Sequence, residues 1–380
     1  MNNNWKPIFT DTDQEIVWQK INEIAEVLTK SNSSCDRSLM YGEMGACLFL
    51  FHHCFALDDD ECYEAVSEKF FSRIDKIHKS TLFTNDPMKC DANLAHGLGG
   101  IGWMLGYLLR SQMINGDILD VTESIDPYMF RRMIYDAQEE RYGLLQGATG
   151  IALYCQSRQE RFPKEYLARF ILELHKRMNL GKLDVIDDYS IPSGLSGLYL
   201  LLRKVHEKYP DMAYVLRIIK RIEYKLEQQS VLLENTLITQ PGWSQQEVGV
   251  LWSQLQIQEV RDQVLEQWCK YGKLHLKSAG QHLEAGLYGG NFSLGHLFNR
   301  IYQLSNQSEF RNLAIEFFYK GLEHANYVEK QTGYNLWYTG VNGTYGLHRG
   351  LLGGLAGIGL ALLATVLDKT PDWDEVLLIS

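Results

Sequence analysis

No stretch of the 380 residues approaches the ~18 uncharged apolar residues that a membrane-spanning helix needs. The first residues, MNNNWKPIFTDTDQEIVW, lack a basic start followed by an apolar run, so no secretory signal is expected. Basic residues are outnumbered, 37 Lys and Arg against 47 Asp and Glu. The resulting net charge of −10 argues against a nucleic-acid partner, which would call for a basic patch or stripe. Cysteine pairs are also missing. The seven cysteines (35, 47, 54, 62, 90, 155, 269) are odd in number, scattered, and contain no C-x-x-C. They predict reduced thiols in a cytoplasmic protein rather than a disulfide framework. Alternating β-branched runs bounded by turns are absent, so little of the chain predicts strand. What remains is an ordinary soluble composition, 45% hydrophobic and 22% charged, with length enough to bury a large core.

Glycine supplies the pattern. Seven small-residue turns recur: YGEMGACLFLF from Tyr41, HGLGGIGWMLGYLL from His96, QGATGIALY from Gln146, SGLSGLYLLL from Ser193, QQEVGVLW from Gln245, GGNFSLGHLF from Gly289 and GGLAGIGLALL from Gly353. Their anchors are Gly42, Gly97, Gly147, Gly194, Gln246, Gly290 and Gly354, spaced by 55, 50, 47, 52, 44 and 64 residues. Each turn feeds an apolar segment suited to a buried helix. Between them lie amphipathic segments such as RFPKEYLARFILELHKRM (Arg161–Met178) and MAYVLRIIKRIEYKLEQQ (Met212–Gln229). The repeating unit is thus a helical hairpin with a buried inner helix and a half-exposed outer one. Such a hairpin cannot cover its inner helix alone. An open stack would need polar end repeats, yet the last inner segment, GGLAGIGLALLATVL, is among the most apolar. The expectation is an all-α fold, an α/α toroid of seven hairpins and about fourteen helices. It would form one domain spanning 1–380, with glycines that let backbones crowd together and take turns a Cβ would forbid, and with functional side chains just ahead of each one.

Beyond glycine spacing, LYGGNFSLGHLFNRIY (Leu287–Tyr302) resembles the lanthionine synthetase C family, whose pattern there is close to C-H-G-N-A-G-L-A-H-I-F-N-R-L-Y. The match covers Gly290, Asn291, Leu294, His296, Phe298, Asn299, Arg300 and Tyr302. GWSQQEVGVLW resembles that family's W-C-Y-G-x-x-G-I at Trp243 and Gly249, and the C-terminal GLLGGLAGIGLALL followed by WDEVLLIS resembles its ending. The resemblance implies a toroid that acts on lanthipeptide precursors, with zinc held by a cysteine of the fifth turn and a Cys-His pair of the sixth. Zinc would lower the pKa of a substrate thiol for attack on a dehydrated Ser or Thr. In this chain those three positions are Ser244, Tyr288 and Gly289. The family's histidine before the fourth turn falls on Ser193, and its aspartate before the third falls on Gly143. All five are changed, so no metal and no other cofactor is expected at this site.

The remaining candidates each carry a plain alternative. His96 holds the turn position in the second repeat, as a pocket group or a helix-start hydrogen bonder. His348 and Arg349 precede the last turn and suit an anionic or carbonyl group, or simple loop solvation. Tyr288 is a proton donor or a filler of the space zinc would take. His296 reads as structural. Cys90 and His96 lie across one turn, but two ligands make no metal site. FHHCF (Phe51–Phe55) looks metal-like, yet adjacent helical residues point in different directions, and core packing is the reading. Glu43, Asp187 and Asp188 are the candidate glycosidase carboxylates, but they form no pair at a defined spacing. Three roles follow: a zinc-less binder of a precursor peptide or partner modification enzyme, a cyclase that works without zinc by proximity, or a subunit beside a zinc-bearing paralogue. A carbohydrate-active enzyme is the distant alternative.

Overall fold

Residues 5–30, 36–82, 91–115, 125–158, 164–233, 241–278, 285–325, 327–337, 339–341 and 344–380 are described by a computed structural model. Among them are fourteen α-helices. Seven begin at the small-residue turns and form an inner wall: α2 (Glu43–Leu57), α4 (Leu98–Arg110), α6 (Ala148–Ser157), α8 (Leu195–Lys208), α10 (Gln246–Gln254), α12 (Asn291–Ser305) and α14 (Leu355–Val366). The outer layer holds α1 (Asp11–Lys30), α3 (Asp60–Leu82), α5 (Asp126–Gln138), α7 (Lys164–Asn179), α9 (Val215–Leu233), α11 (Arg261–Ser278) and α13 (Ser308–Glu323). Burial follows sequence pattern. Every residue of α14, LAGIGLALLATV, is buried, whereas α7 buries Leu167, Phe170, Ile171 and Leu174 on one face and exposes its lysines.

The ring closes through its ends. Inner helix α14 packs on inner helix α2, and its outer partner is α1, from the opposite end of the chain. The expected all-α toroid is the observed fold. Two small antiparallel ribbons depart from it, Tyr327–Val328 with Asn335–Leu336 and Thr339–Val341 with Thr344–Gly346, both within the long gap before the seventh turn.

The glycines act by crowding backbones together, as expected, and not through a special turn conformation. At six turns the residue preceding the inner helix is Gly42, Gly97, Gly147, Gly194, Gly290 or Gly354, each with φ between −105° and −157°, a range open to any residue. Close approach is the reason for glycine. A Cβ on Gly97 would stand 2.2 Å from the Asp91 carbonyl oxygen, and one on Gly194 2.2 Å from that of Asp188. No side chain caps these helices. Instead the first helical N–H reaches back seven residues, from Glu43 to Asp36 O (3.0 Å), Leu98 to Asp91 O (2.8 Å), Ala148 to Arg141 O (2.9 Å), Leu195 to Asp188 O (2.9 Å) and Leu355 to His348 O (3.0 Å). At the fifth turn the helix starts at Gln246 itself, one residue earlier than its glycine-led counterparts, with extended Gln245 ahead of it.

One cysteine expectation is overturned. Cys54, at the end of α2, and Cys62, at the start of α3, are joined by a disulfide. No C-x-x-C pattern marks it, because the partners sit on two helices that the hairpin turn brings together. Cys47, Cys155 and Cys269 are free thiols. Cys35 and Cys90 lie outside the described residues.

Candidate functional site

The glycine turns gather at one end of the ring and are sewn together by backbone hydrogen bonds. The residue two places ahead of each anchor forms the seam. Ser244 N–H donates to Tyr288 O (3.0 Å), Tyr288 N–H to Leu352 O (2.9 Å), and Leu352 N–H to Met40 O (2.9 Å). Ala95 N–H donates to Leu145 O (3.0 Å), and Leu145 N–H to Pro192 O (3.0 Å). The seam therefore links turn five to six to seven to one, and two to three to four. It fixes where each turn presents its next residue to the mouth.

The positions singled out by family resemblance meet there. Gly242 and Gly289 touch without side chains, since a Cβ on Gly242 would lie 2.5 Å from Gly289 Cα. A Cβ on Gly289 would meet only Ser244 Oγ, at 3.6 Å. The Tyr288 side chain, 41% exposed, stands beside Ser244, and its ring meets Trp243 edge-on with centroids 6.3 Å apart. Burial, with the Asp188 carboxylate, raises the Tyr288 hydroxyl above the ordinary tyrosine value. It therefore stays protonated through the neutral range. On the other side, a Cβ on Gly143 would lie 3.3 Å from Ser193 Cα, so these two positions are also neighbours. Ser244, Tyr288 and Gly289 together offer two neutral hydroxyls and no thiolate, imidazole or carboxylate. That donor set does not suit zinc.

Tyr41 was missed, although it occupies the same place in the first turn as His96 in the second. The two rings stack with centroids 4.8 Å apart and planes 24° from parallel. Burial, then the proximity of Tyr288 and Asp36, pushes the Tyr41 hydroxyl up to about 12. Tyr288 thus lies within electrostatic reach of both Tyr41 and Asp188. Gln146 and Ser193, which precede their own anchors, are exposed at the same rim.

Other candidates fall elsewhere. His348 is half-buried in the seventh turn and supplies the carbonyl that caps α14. Arg349 is pulled below the ordinary arginine value chiefly by burial, beside the Glu43–Arg73 pair. Glu43 is buried and held by Arg73 at 2.6 Å, which removes it as a glycosidase acid. Asp188 accepts the Ser190 N–H at 2.8 Å and shapes its own turn. The same Asx turn recurs at Asp36 (to Ser38 N–H, 2.8 Å) and Asp91 (to Asn93 N–H, 3.1 Å). An aspartate six residues ahead of the anchor, in DRSLMYG, DANLAHG and DYSIPSG, is a readable signal that glycine alignment alone passed over.

Beneath the mouth, the C-terminal tail threads between the helices. His296 Nε2 lies 2.7 Å from Asp374 Oδ2, Arg300 donates through Nε (2.8 Å) and Nη2 (2.6 Å) to the same carboxylate, and Trp373 stacks on His296 at 5.0 Å. All four residues are buried. His296, which reads as structural in the sequence, thus belongs with Arg300, Trp373 and Asp374 to one buried network.

Comparison with known proteins agrees with this architecture. No curated protein matches the chain. Among solved structures it is similar to nisin cyclase, with a TM-score of 0.65 at 14% identity over 96% of this chain and 97% of that one. At that identity the likeness shows the fold. A family model described as lanthionine synthetase C-like protein matches residues 33–378. The chain belongs to the lanthionine synthetase C-like family.

Proposed function

We propose that this chain serves lanthipeptide maturation in the cytoplasm as a zinc-less family member. It holds a precursor peptide, or a partner modification enzyme, over the mouth of the toroid. The observation that carries this is the meeting of Ser244, Tyr288 and Gly289 around one point, without a zinc-binding group among them. The neighbouring pair, Gly143 and Ser193, likewise lacks an acid or base.

A second reading has its own observation. Thiol addition to a dehydroamino acid forms a C–S bond at Cβ and needs a proton delivered to Cα. The protonated Tyr288 hydroxyl, at the rim with Tyr41 and His96, is placed to give one. Holding the reacting pair together would supply the remaining advantage.

One experiment separates the two. A Ser/Thr/Cys-bearing lanthipeptide precursor is dehydrated, titrated with the protein, and followed for affinity and for loss of free thiol by alkylation and mass spectrometry. Saturable binding with ring closure at the uncatalysed rate supports the binding role. Acceleration that survives chelator and falls with Tyr288→Phe supports the metal-free cyclase. Absence of binding to both the peptide and its dehydratase removes both readings.

A further inference from the structure

His53, Cys54 and Cys62 come together at the α2–α3 connection. Cys54 lies roughly 18 Å along α2 from Gly42, at 1.5 Å per residue, and so is remote from the mouth. A ring nitrogen of His53 and the two sulfurs all lie within 4.8 Å of one another. Among the described residues this is the one group of three or more His, Cys, Asp or Glu side chains close enough to share an ion. The disulfide shows that the two sulfurs share one small volume. It does not account for the histidine.

His53 is 7% exposed, and its Nδ1 has no hydrogen-bond partner. Its Nε2 lies 2.8 Å from Asn22 Oδ1 of α1. An amide oxygen only accepts, so Nε2 carries the proton and Nδ1 keeps a bare lone pair. An outer acceptor that fixes the tautomer of a ligating histidine is the usual support of a metal-bound imidazole. Asp59 accepts the Cys62 N–H at 2.9 Å, starting α3 so that Cys62 faces Cys54. It also adds a negative charge beside the cluster.

We propose that His53, Cys54 and Cys62 form a three-ligand metal site for a thiophilic dication such as Zn2+, filled when the Cys54–Cys62 disulfide is reduced. Two thiolates and one imidazole suit tetrahedral zinc, and half-buried Cys62 leaves the fourth position to water. A dithiol reductant gives the disulfide two electrons and two protons, yielding two thiols and its own disulfide. The metal then displaces both thiol protons to solvent, while His53 ligates without proton loss. The FHHCF motif thus acquires its third ligand from the next helix, against the expectation of core packing and of a chain without metal.

Untagged full-length protein is reduced with a dithiol, freed of it anaerobically by gel filtration, and titrated with Co2+. One Co2+ per chain should bind, with a thiolate-to-cobalt charge-transfer band in the near ultraviolet. The band should be absent from the air-oxidised protein. Cys62→Ser should lose it, and His53→Gln should weaken affinity by more than the roughly 10-fold cost of losing an outer-shell partner. Circular dichroism checks that each variant folds. No band in the reduced parent overturns the proposal, as does a band of equal affinity in Cys62→Ser or His53→Gln.

Discussion

Asp374, fully buried, is shared by His296 and Arg300, two residues one helical turn apart on α12 and more than 70 positions earlier in the chain. Burial alone would raise the Asp374 carboxyl. The Arg300 charge and the His296 hydrogen bond outweigh it, and the group sits below the ordinary aspartate range. The tail reaches toward the mouth through Leu377, whose carbonyl accepts the Trp243 indole N–H at 2.9 Å. Trp243 is the residue before Ser244, so the tail supports the turn that presents it.

Asp374→Ala should therefore destabilise the fold severely. Removing one partner of a buried pair leaves Arg300 uncompensated, at a cost of about 3–5 kcal/mol. Denaturant unfolding followed by far-ultraviolet circular dichroism gives the number. A loss below about 1 kcal/mol would mean that water reaches Arg300 and that the tail is no plug.

The glycine three residues after the anchor, present in six of the seven turns and replaced by Ser293 in the sixth, makes a sharper test of the packing. A Cβ on Gly150 would lie 2.0 Å from the Leu144 carbonyl oxygen, and one on Gly357 1.8 Å from that of Leu351. Both partners are backbone and cannot swing aside. Gly357→Ala is expected to cost at least about 3 kcal/mol. Gly106→Ala, inside α4, meets nothing closer than Ser157 Oγ at 3.4 Å, an ordinary contact. It should be neutral, or stabilising by up to about 1 kcal/mol through helix propensity. Equal effects from the two substitutions would contradict the close-approach account.

The contrast explains what a reader of the sequence can recover. Glycine spacing and the apolar runs behind it are local, and they led to seven inner helices and their amphipathic partners. The pairing of α1 with α14 is between chain ends, and nothing in either segment names the other. Trp373 and Asp374 matched a family ending, but their partners on α12 depend on how the ring closes. The Cys54–Cys62 contact spans a helix-to-helix turn, so a motif search within one segment could not find it. The short ribbons at 327–346 are two or three residues per strand, too brief to show alternation. At the mouth, Ser244, Tyr288 and Gly289 were legible as family positions, whereas Tyr41 needed the His96 stack to be noticed.

Acid should weaken the fold in a definite window. Burial holds His275 at about 4, against ~6.5 for an unperturbed histidine. The unfolded chain binds the proton first. Stability is thus fully present above about pH 6.5 and is lost as pH falls through 4, by on the order of 3 kcal/mol for this one residue. His52, also held at about 4 by burial, adds to the same slope. Urea midpoints measured from pH 7.5 to 4 should fall accordingly, and His275→Gln should flatten the curve. An unchanged slope in that variant would show that His275 is solvated.

Rebuilding the zinc site asks whether the mouth still holds the family geometry. Ser244→Cys, Tyr288→Cys and Gly289→His together would place two thiolates and an imidazole around the point where those residues now meet. The backbone permits it: Gly289 has no positive φ, and its Cβ would find open space apart from Ser244 Oγ at 3.6 Å. The Ser244 N–H to Tyr288 O hydrogen bond does not involve either side chain and should persist. Loss of the Tyr288 ring opens room for the ion and its water. The triple variant is best made on Cys62→Ser, so that metal at the α2–α3 connection is not counted. Zinc is then titrated in competition with a chromogenic chelator, beside each single variant on the same background. Tight one-to-one binding in the triple variant alone is expected, because three ligands are needed before the chelator loses. Ligand distances are tolerated only within about 0.2 Å, so affinity somewhat below that of a native zinc site fits a turn that has kept its shape. A triple variant that folds yet binds no better than its single variants would show that the fifth and sixth turns have been reshaped for another task.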